Sequence, residues 1–208
     1  MTRVAGPSRR GLGLRLASWF TRRQFAKLTG RTVAALEPLE VYGRLPGVLR
    51  SYGRFEQATA KLHRLDWRLQ VLAELRASTL IQCEWCIDLA SQIARHSGLT
   101  DEELLALPRY RDSDRFTDVE KLVMDYATAM TRTPAAIPDS LFEDLREHLD
   151  DVQLIELTHH VALENLRGRF NVAFDIGAAG FAEGMVCAAP TFAPSSDGRP
   201  TELTEGRK

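Results

Sequence analysis

The sequence has few cysteines, no long apolar run and no excess of either charge. Its 208 residues include three cysteines, at positions 83, 86 and 187, whereas a small secreted domain usually carries a larger, even set. No run of 18 or more apolar residues occurs, so no transmembrane segment is expected. With 27 Lys and Arg against 28 Asp and Glu, overall charge gives no reason to expect nucleic-acid binding. Two cysteines three residues apart favour redox or metal chemistry in a reducing compartment, so we expect a cytoplasmic protein.

The charges are unevenly distributed along the chain. Positions 1–36 contain eight Arg or Lys residues and no Asp or Glu. Such a segment is typical of a targeting peptide, a membrane-surface helix or a polyanion-binding arm. A secretory signal is not expected, because Arg15 interrupts the apolar stretch that it would need. Four apolar residues would share one face of an amphipathic helix: Leu12, Leu16, Trp19 and Phe20. The sequence favours a simpler interpretation, a basic end followed by a helix that docks on the acidic body through Trp19, Phe20 and Phe25.

Residues 37–187 are predicted to form one all-α domain, a compact bundle of six to eight helices. Ala, Leu, Glu and Arg dominate this segment, and the alternating β-branched runs that predict strands do not occur. The most apolar helix is expected over about 151–175 and should lie centrally. Residues 188–208 are rich in Pro, Ser, Thr, Gly and charged residues, so this segment is predicted to be disordered.

Helix boundaries in this domain are marked by capping residues. Pro38 and Pro46 stand where a first helical turn tolerates proline. Thr100 and Thr117 each precede a glutamate by three residues, which predicts two capping boxes. Other expected boundary residues are Asp66, an N-cap, and Gly98, a C-terminal stop.

The motif Cys83-Glu-Trp-Cys86 is the most informative part of the sequence. Residues three apart at the start of a helix share one face, and the dipoles of a helix N-terminus favour a thiolate over a thiol. A nucleophilic thiolate with a second thiol in reach is what a dithiol redox centre requires. A structural zinc site would need a second close pair of ligands, and a thioredoxin-like site would need surrounding strands. Spacing alone supports a redox centre and a pair of small buried residues about equally.

The run from Cys83 to Leu104, including the helix that ends in Gly98-Leu-Thr100, resembles the alkylhydroperoxidase D-like superfamily. This is the carboxymuconolactone decarboxylase family in the broad sense, and the similarity covers about residues 66–107. It implies an all-α fold and a homo-oligomer. For the redox-active members it implies reduction of a hydroperoxide substrate by catalytic Cys83 and Cys86, with an external thiol or dithiol as reductant. We expect no metal ion and no cofactor.

This chain departs from the pattern of the redox-active members at three positions. These members usually carry a histidine four residues after the second cysteine, a glutamate twelve residues before the first, and a tyrosine or histidine just before the second. The corresponding residues here are Ala90, Val71 and Trp85. Glu74 and Asp88 are near enough in sequence to substitute in part, although such acids are more often solvated. We therefore expect a slow peroxidase whose rate rises with pH toward the unperturbed cysteine pKa of about 8.5.

Two functions besides a peroxidase stay open at this level. One is a decarboxylase or isomerase-like lactone enzyme, as in the name-giving branch of the family, which does not depend on a cysteine pair. The other is a non-catalytic helical oligomer or binding module that has lost the proton relay.

A homo-oligomer is also expected from the predicted helices, because the short helices are too few to cover every apolar face of the long ones.

The predicted last helix carries polar residues at spacings of four, three and four: His160, Glu164, Arg167 and Asn171. These residues share one face of a helix. They would form either one wall of a pocket that faces the cysteines, with His160 as a base, or a set of paired charges. The sequence favours pairing of Glu164 with Arg167, because buried polar groups usually satisfy one another.

Overall fold

Helices make up most of the computed structural model, which is described for residues 2–32, 36–188, 192–194 and 200–202. These residues include nine α-helices: α1 Leu12–Thr29, α2 Glu37–Tyr42, α3 Pro46–Thr59, α4 Trp67–Ile81, α5 Glu84–His96, α6 Asp101–Ala106, α7 Asp118–Thr131, α8 Asp139–Arg146 and α9 Asp151–Ala173. A 3-10 helix over Leu107–Asp112 follows α6. The predicted all-α fold is confirmed, with eight of the α-helices between residues 37 and 187.

The helices begin and end where the capping residues predict. Thr100 and Thr117 each close a capping box, and the Asp66 carboxylate accepts the Arg68 N–H at the start of α4. Gly98 lies just beyond α5 with a φ of +97°, a backbone conformation that glycine adopts without the steric cost of a side chain. Local sequence therefore sets these boundaries.

Helix α4, and not the last helix as the sequence suggested, is the centre of the domain and packs against α5, α7 and α9. One apolar cluster joins α4 to α7, α8 and α9, with Leu69, Val123 and Leu157 among its buried members. A second cluster lies between α4, α5 and the 3-10 helix. Because three helices cover it, α4 is buried on most of its circumference, which positions its C-terminal end and the start of α5 inside the domain.

Helix α1 packs on α5 through Phe25, but not through the other two residues that the sequence suggested. Leu14 and Ser18 are buried, and Phe25 contacts the Trp85 ring with 5.8 Å between centroids. Trp19 and Phe20, which were expected to dock, are 62% and 40% exposed. Helical periodicity explains the correction, since these two residues point away from the face that carries Leu14 and Phe25.

The end of the chain carries a short pair of strands. Phe192–Pro194 and Pro200–Glu202 pair antiparallel within the segment 188–208 that the sequence predicts to be disordered. The rest of that segment, apart from Ala188, lies outside the described residues. In the described part of the chain, no helix combines the length and apolarity needed to cross a bilayer.

Candidate redox site

Cys83 and Cys86 form a disulfide at the N-terminus of α5, with their Cα atoms 5.2 Å apart. Gln82 ends α4 in the left-handed conformation, with a φ of +59°, so the chain turns directly from one helix into the next. Cys83 is the N-cap of α5, and its Sγ accepts the N–H of Cys86 at 3.2 Å. The predicted proximity of the two sulfurs is confirmed. Their catalytic role stays a prediction.

An apolar cluster surrounds the disulfide. Cys83 and Cys86 are only 1% and 5% exposed. Their buried neighbours in the cluster come from three parts of the chain, namely α2 with its N-cap, α5 and the loop after α9: Leu36, Val41, Trp85, Ile176 and Phe181. The Trp85 ring meets Phe25 of α1 and, edge to face at 5.7 Å, Phe181 of the loop after α9. Both α1 and this loop therefore cover Trp85, one of the two residues between the cysteines.

Asn171 brings a polar group from α9 to the sulfurs. Its buried side-chain Nδ2 lies 3.5 Å from both Cys83 Sγ and Cys86 Sγ. An amide N–H aimed at sulfur favours the thiolate form once the disulfide is reduced, because a donor stabilises the charged form of an acid. The sequence placed Asn171 on the polar face of α9, and its contact with the sulfurs is the part of the pocket-wall alternative that the structure bears out.

Asp88 anchors the loop that covers the disulfide. Its Oδ2 accepts the backbone N–H groups of Ala179, Gly180 and Phe181 at 2.7–2.9 Å, and its Oδ1 accepts that of Ala182 at 2.7 Å. Asp88 is therefore not the solvated acid that the sequence favours, and it is not free to replace a relay acid in part, because both carboxylate oxygens accept backbone N–H groups. A lone acid in a helix gives no sequence signal for such a partner, since the loop begins about 90 residues later.

Glu74, the other expected substitute, binds elsewhere. Its Oε1 lies 2.9 Å from His160 Nδ1. One turn further along both helices, the Ser78 hydroxyl donates to Glu164 at 2.7 Å. Because partners advance together along α4 and α9, the two helices run parallel.

Arg167 completes a group that we name the acid cluster: Glu56, Glu74, His160, Glu164 and Arg167. The Arg167 guanidinium binds Glu164 at 3.3 Å, as the sequence predicted, and also binds Glu56 of α3. Burial raises the pKa of Glu164 to about 7, against the opposing effect of Arg167. Within the described residues, the buried Nε2 of His160 has no hydrogen-bond partner.

The acid cluster does not reach the disulfide. Glu164 and Asn171 are seven residues apart on α9, which corresponds to about 10 Å along the helix axis. Ile81 fills the space between them, where it packs so closely on Gly168 that an added Cβ would lie 3.0 Å from its Cδ1. The polar residues of α9 therefore form paired charges, as the sequence favoured. Of the four residues on that face, only Asn171 faces the cysteines.

The two positions at which the redox-active members carry relay residues are apolar in structure as well as in sequence. Val71 is buried, and Ala90 packs against the same cluster between α4 and α5. Cys187 packs against that cluster too, away from the disulfide, and burial raises the pKa of its thiol. Among the residues that the structure describes, no group of three His, Cys, Asp or Glu side chains could hold a metal ion.

Comparison with known sequences identifies the family. A sequence model of the carboxymuconolactone decarboxylase family matches residues 46–129. The protein YnjA of Escherichia coli (strain K12) is 34% identical over 169 residues, which cover 80% of this chain and 88% of YnjA.

Solved structures share the fold at low sequence identity. The apo debrominase Bmp8 superposes with a TM-score of 0.72 at 18% identity, over 86% of this chain and 93% of Bmp8. A Bmp8 variant in which a cysteine is replaced by alanine was solved in complex with 2,3,4-tribromopyrrole. A peroxidase-related protein from Silicibacter sp. TM1040 superposes with a TM-score of 0.67 at 16% identity, over 84% and 90% of the two chains. The alkylhydroperoxidase D core protein of Ralstonia eutropha JMP134 superposes with a TM-score of 0.65 at 16% identity, over 85% of this chain and 92% of that protein. The protein therefore belongs to the carboxymuconolactone decarboxylase family and has the alkylhydroperoxidase D-like fold.

Proposed function

We propose that the protein is a thiol-dependent oxidoreductase that reduces hydroperoxides through Cys83 and Cys86. The observation that carries this proposal is the disulfide at the N-terminus of α5, with the amide of Asn171 directed at both sulfurs. Two cysteines whose Cα atoms lie 5.2 Å apart, within the range of protein disulfides, are suited to cycle between dithiol and disulfide.

The reaction cycle needs one hydroperoxide and two external thiols. A cysteine thiolate attacks the terminal peroxide oxygen, the O–O bond breaks, and the products are a sulfenic acid and an alkoxide that takes up a proton as alcohol. The second thiol attacks the sulfenic sulfur, which forms the Cys83–Cys86 disulfide and releases water. An external thiol or dithiol then reduces the disulfide by exchange and is itself oxidised to a disulfide.

The surroundings of the sulfurs predict a slow enzyme. Both cysteines are buried beneath Trp85, Phe25 and Phe181, so a substrate reaches them only when this cover moves. Val71 and Ala90 supply no base, and the thiol proton must leave to solvent. We therefore expect the rate to rise with pH as the attacking thiol ionises.

The other activities are less well supported by this geometry. A lactone enzyme or a non-catalytic oligomer would not require two cysteines in disulfide contact with an amide donor beside them. The peroxidase-related neighbour and the debrominase share only the fold at these identities. Reductive removal of bromide also consumes two thiols, so it belongs in the substrate test. The homo-oligomer, the cytoplasmic location and the external reductant stay predictions.

A thiol titration tests the proposal. The reduced protein is treated with cumene hydroperoxide, and the expected result is loss of two thiols with a mass decrease of about 2 Da. In the matched control, Cys187→Ser, the same two thiols should react. Cys83→Ser and Cys86→Ser should each abolish turnover with dithiothreitol as reductant. Thiols that stay titratable would contradict the proposal, as would bromide release from 2,3,4-tribromopyrrole without peroxide reduction.

A further inference from the structure

Helix α1 exposes an apolar stripe on the side opposite to its contact with the domain. Leu12 is 72% exposed and Leu16 is 59% exposed, and both lie on the same side as the exposed Trp19 and Phe20. We name these four residues the α1 stripe. Isolated apolar residues are common on protein surfaces, but a stripe of two leucines and two aromatic residues along one helix indicates an interaction site.

Basic residues flank the α1 stripe. Arg15, Arg23 and Lys27 are exposed on the same outward side of the helix, and the Arg23 guanidinium lies 5.9 Å from the Trp19 ring centroid. No acidic residue precedes Glu37 in the sequence. The outward side of α1 therefore combines an apolar stripe with charged residues that are all positive.

We propose that the outward side of α1 binds the surface of an anionic lipid bilayer. Leucine, phenylalanine and tryptophan side chains of an amphipathic helix enter the boundary between headgroups and acyl chains, where tryptophan is especially favourable. Arginine and lysine stems extend along the helix, so that their charged ends reach the lipid phosphates. Each such charge near an anionic surface adds attraction that salt screens.

A bilayer fits this surface better than helix α1 of a second copy or a nucleic acid does. A symmetric dimer in which α1 packs on α1 would bring Arg15, Arg23 and Lys27 against the same set of residues in the other copy, with no acid on either helix. A nucleic acid would use the cationic residues, but the exposed leucines at positions 12 and 16 would gain nothing from phosphate contacts.

The opposite side of α1 connects this surface to the disulfide. Phe25 packs on Trp85, and the carbonyl of Thr29 accepts the side-chain N–H of Gln92 in α5 at 2.9 Å. A bilayer bound to α1 would consequently lie about one helix diameter, roughly 10 Å, from the residues around the cysteines. The binding proposal itself does not depend on the proposed peroxidase activity.

Vesicle co-sedimentation of the full chain tests the proposal. The protein should sediment with vesicles of equal parts phosphatidylglycerol and phosphatidylcholine, and binding should fall at least tenfold in 0.5 M salt or with phosphatidylcholine alone. Leu16→Ser/Trp19→Ser and Arg15→Glu/Arg23→Glu should each lower the affinity at least tenfold. The matched control is Val152→Ser/Ile155→Ser, which alters two exposed apolar residues of α9 and should bind as the wild type does.

Tryptophan emission gives an independent measurement. Trp19 should shift to shorter wavelength when anionic vesicles are added, and Trp19→Phe should remove that shift. Absence of sedimentation with anionic vesicles would overturn the proposal, and so would equal binding by the α1 variants. A lower mass of the Leu16→Ser/Trp19→Ser variant in light scattering, with no vesicle binding by the wild type, would assign the stripe to an interface between copies instead.

Discussion

The interface between α4 and α9 changes character along its length. Midway along both helices, the acid cluster brings together three carboxylates, one histidine and one arginine, with Glu56 contributed by α3. At the C-terminal end the disulfide lies among aromatic and aliphatic side chains, with Asn171 as a polar neighbour. The strongest acid–base groups of this interface are thus separated from its most reactive atoms by Ile81 and Gly168.

The acid cluster and the disulfide end are stabilised in different ways. Buried charges are costly unless partners compensate them, and Arg167 compensates Glu56 and Glu164 at once. The disulfide end relies on apolar burial and on the loop that Asp88 anchors. The titratable groups of this interface hold helices and a loop in place. The thiolate form of the cysteines, in contrast, is stabilised by the N-terminus of α5 and by the amide of Asn171.

The largest expected effect breaks the anchor at the disulfide end. Asp88→Ala leaves four backbone N–H groups without their acceptor, which should lower the free energy of unfolding by about 3–5 kcal/mol. Urea unfolding measures this loss, and faster proteolysis after α9 should accompany it. Replacing the exposed Asp114 by alanine is the control and should change stability by less than about 0.5 kcal/mol. An Asp88→Ala protein as stable as that control would show that the loop does not depend on the carboxylate.

The second prediction concerns the acid cluster. Since burial raises the pKa of Glu164 to about 7 from its usual 4.5, the folded protein binds more protons than the unfolded chain between these pH values. The contribution of Glu164 to the free energy of unfolding is therefore greatest below pH 4.5, and it falls as the pH rises toward 7. Glu164→Gln should remove up to about 3 kcal/mol of this pH dependence.

Thermal or urea unfolding at several pH values between 4.5 and 8 measures that change. The control is Glu143→Gln, at an exposed position of α8, which should keep the wild-type slope. A Glu164→Gln variant with the same slope as the wild type would mean that the raised pKa does not govern stability in this interval.

The smallest expected effect concerns the amide of Asn171 beside the sulfurs. Asn171→Leu removes the amide that faces both sulfur atoms but keeps the branched shape of the side chain. The rate of thiol oxidation by hydroperoxide at pH 7 should fall by about tenfold or less, because one hydrogen bond to an ionised group contributes about 1.5 kcal/mol. The loss should disappear at alkaline pH, where the attacking thiol is ionised in both proteins. Asn165→Ala, which alters another amide of α9, should leave the rate unchanged.

Much of the fold is local and was predictable for that reason. Thr100, Thr117 and Asp66 bond backbone groups within three residues of themselves, so their capping roles follow from sequence alone. The proximity of Cys83 and Cys86 is equally local, because residues three apart on a helix are neighbours. The pairing of Glu164 with Arg167 belongs to the same class.

The sequence by itself therefore determined the helices, their ends, the family and the cysteine pair. Only the tertiary structure decided what faces that pair, since the contacts of Asp88 with residues 179–182 and of Asn171 with the sulfurs join parts of the chain more than 80 residues apart. It also decided that Trp19 points outward while Phe25 points inward. Periodicity defines the faces of a helix, but which face is buried depends on the surfaces that other segments supply.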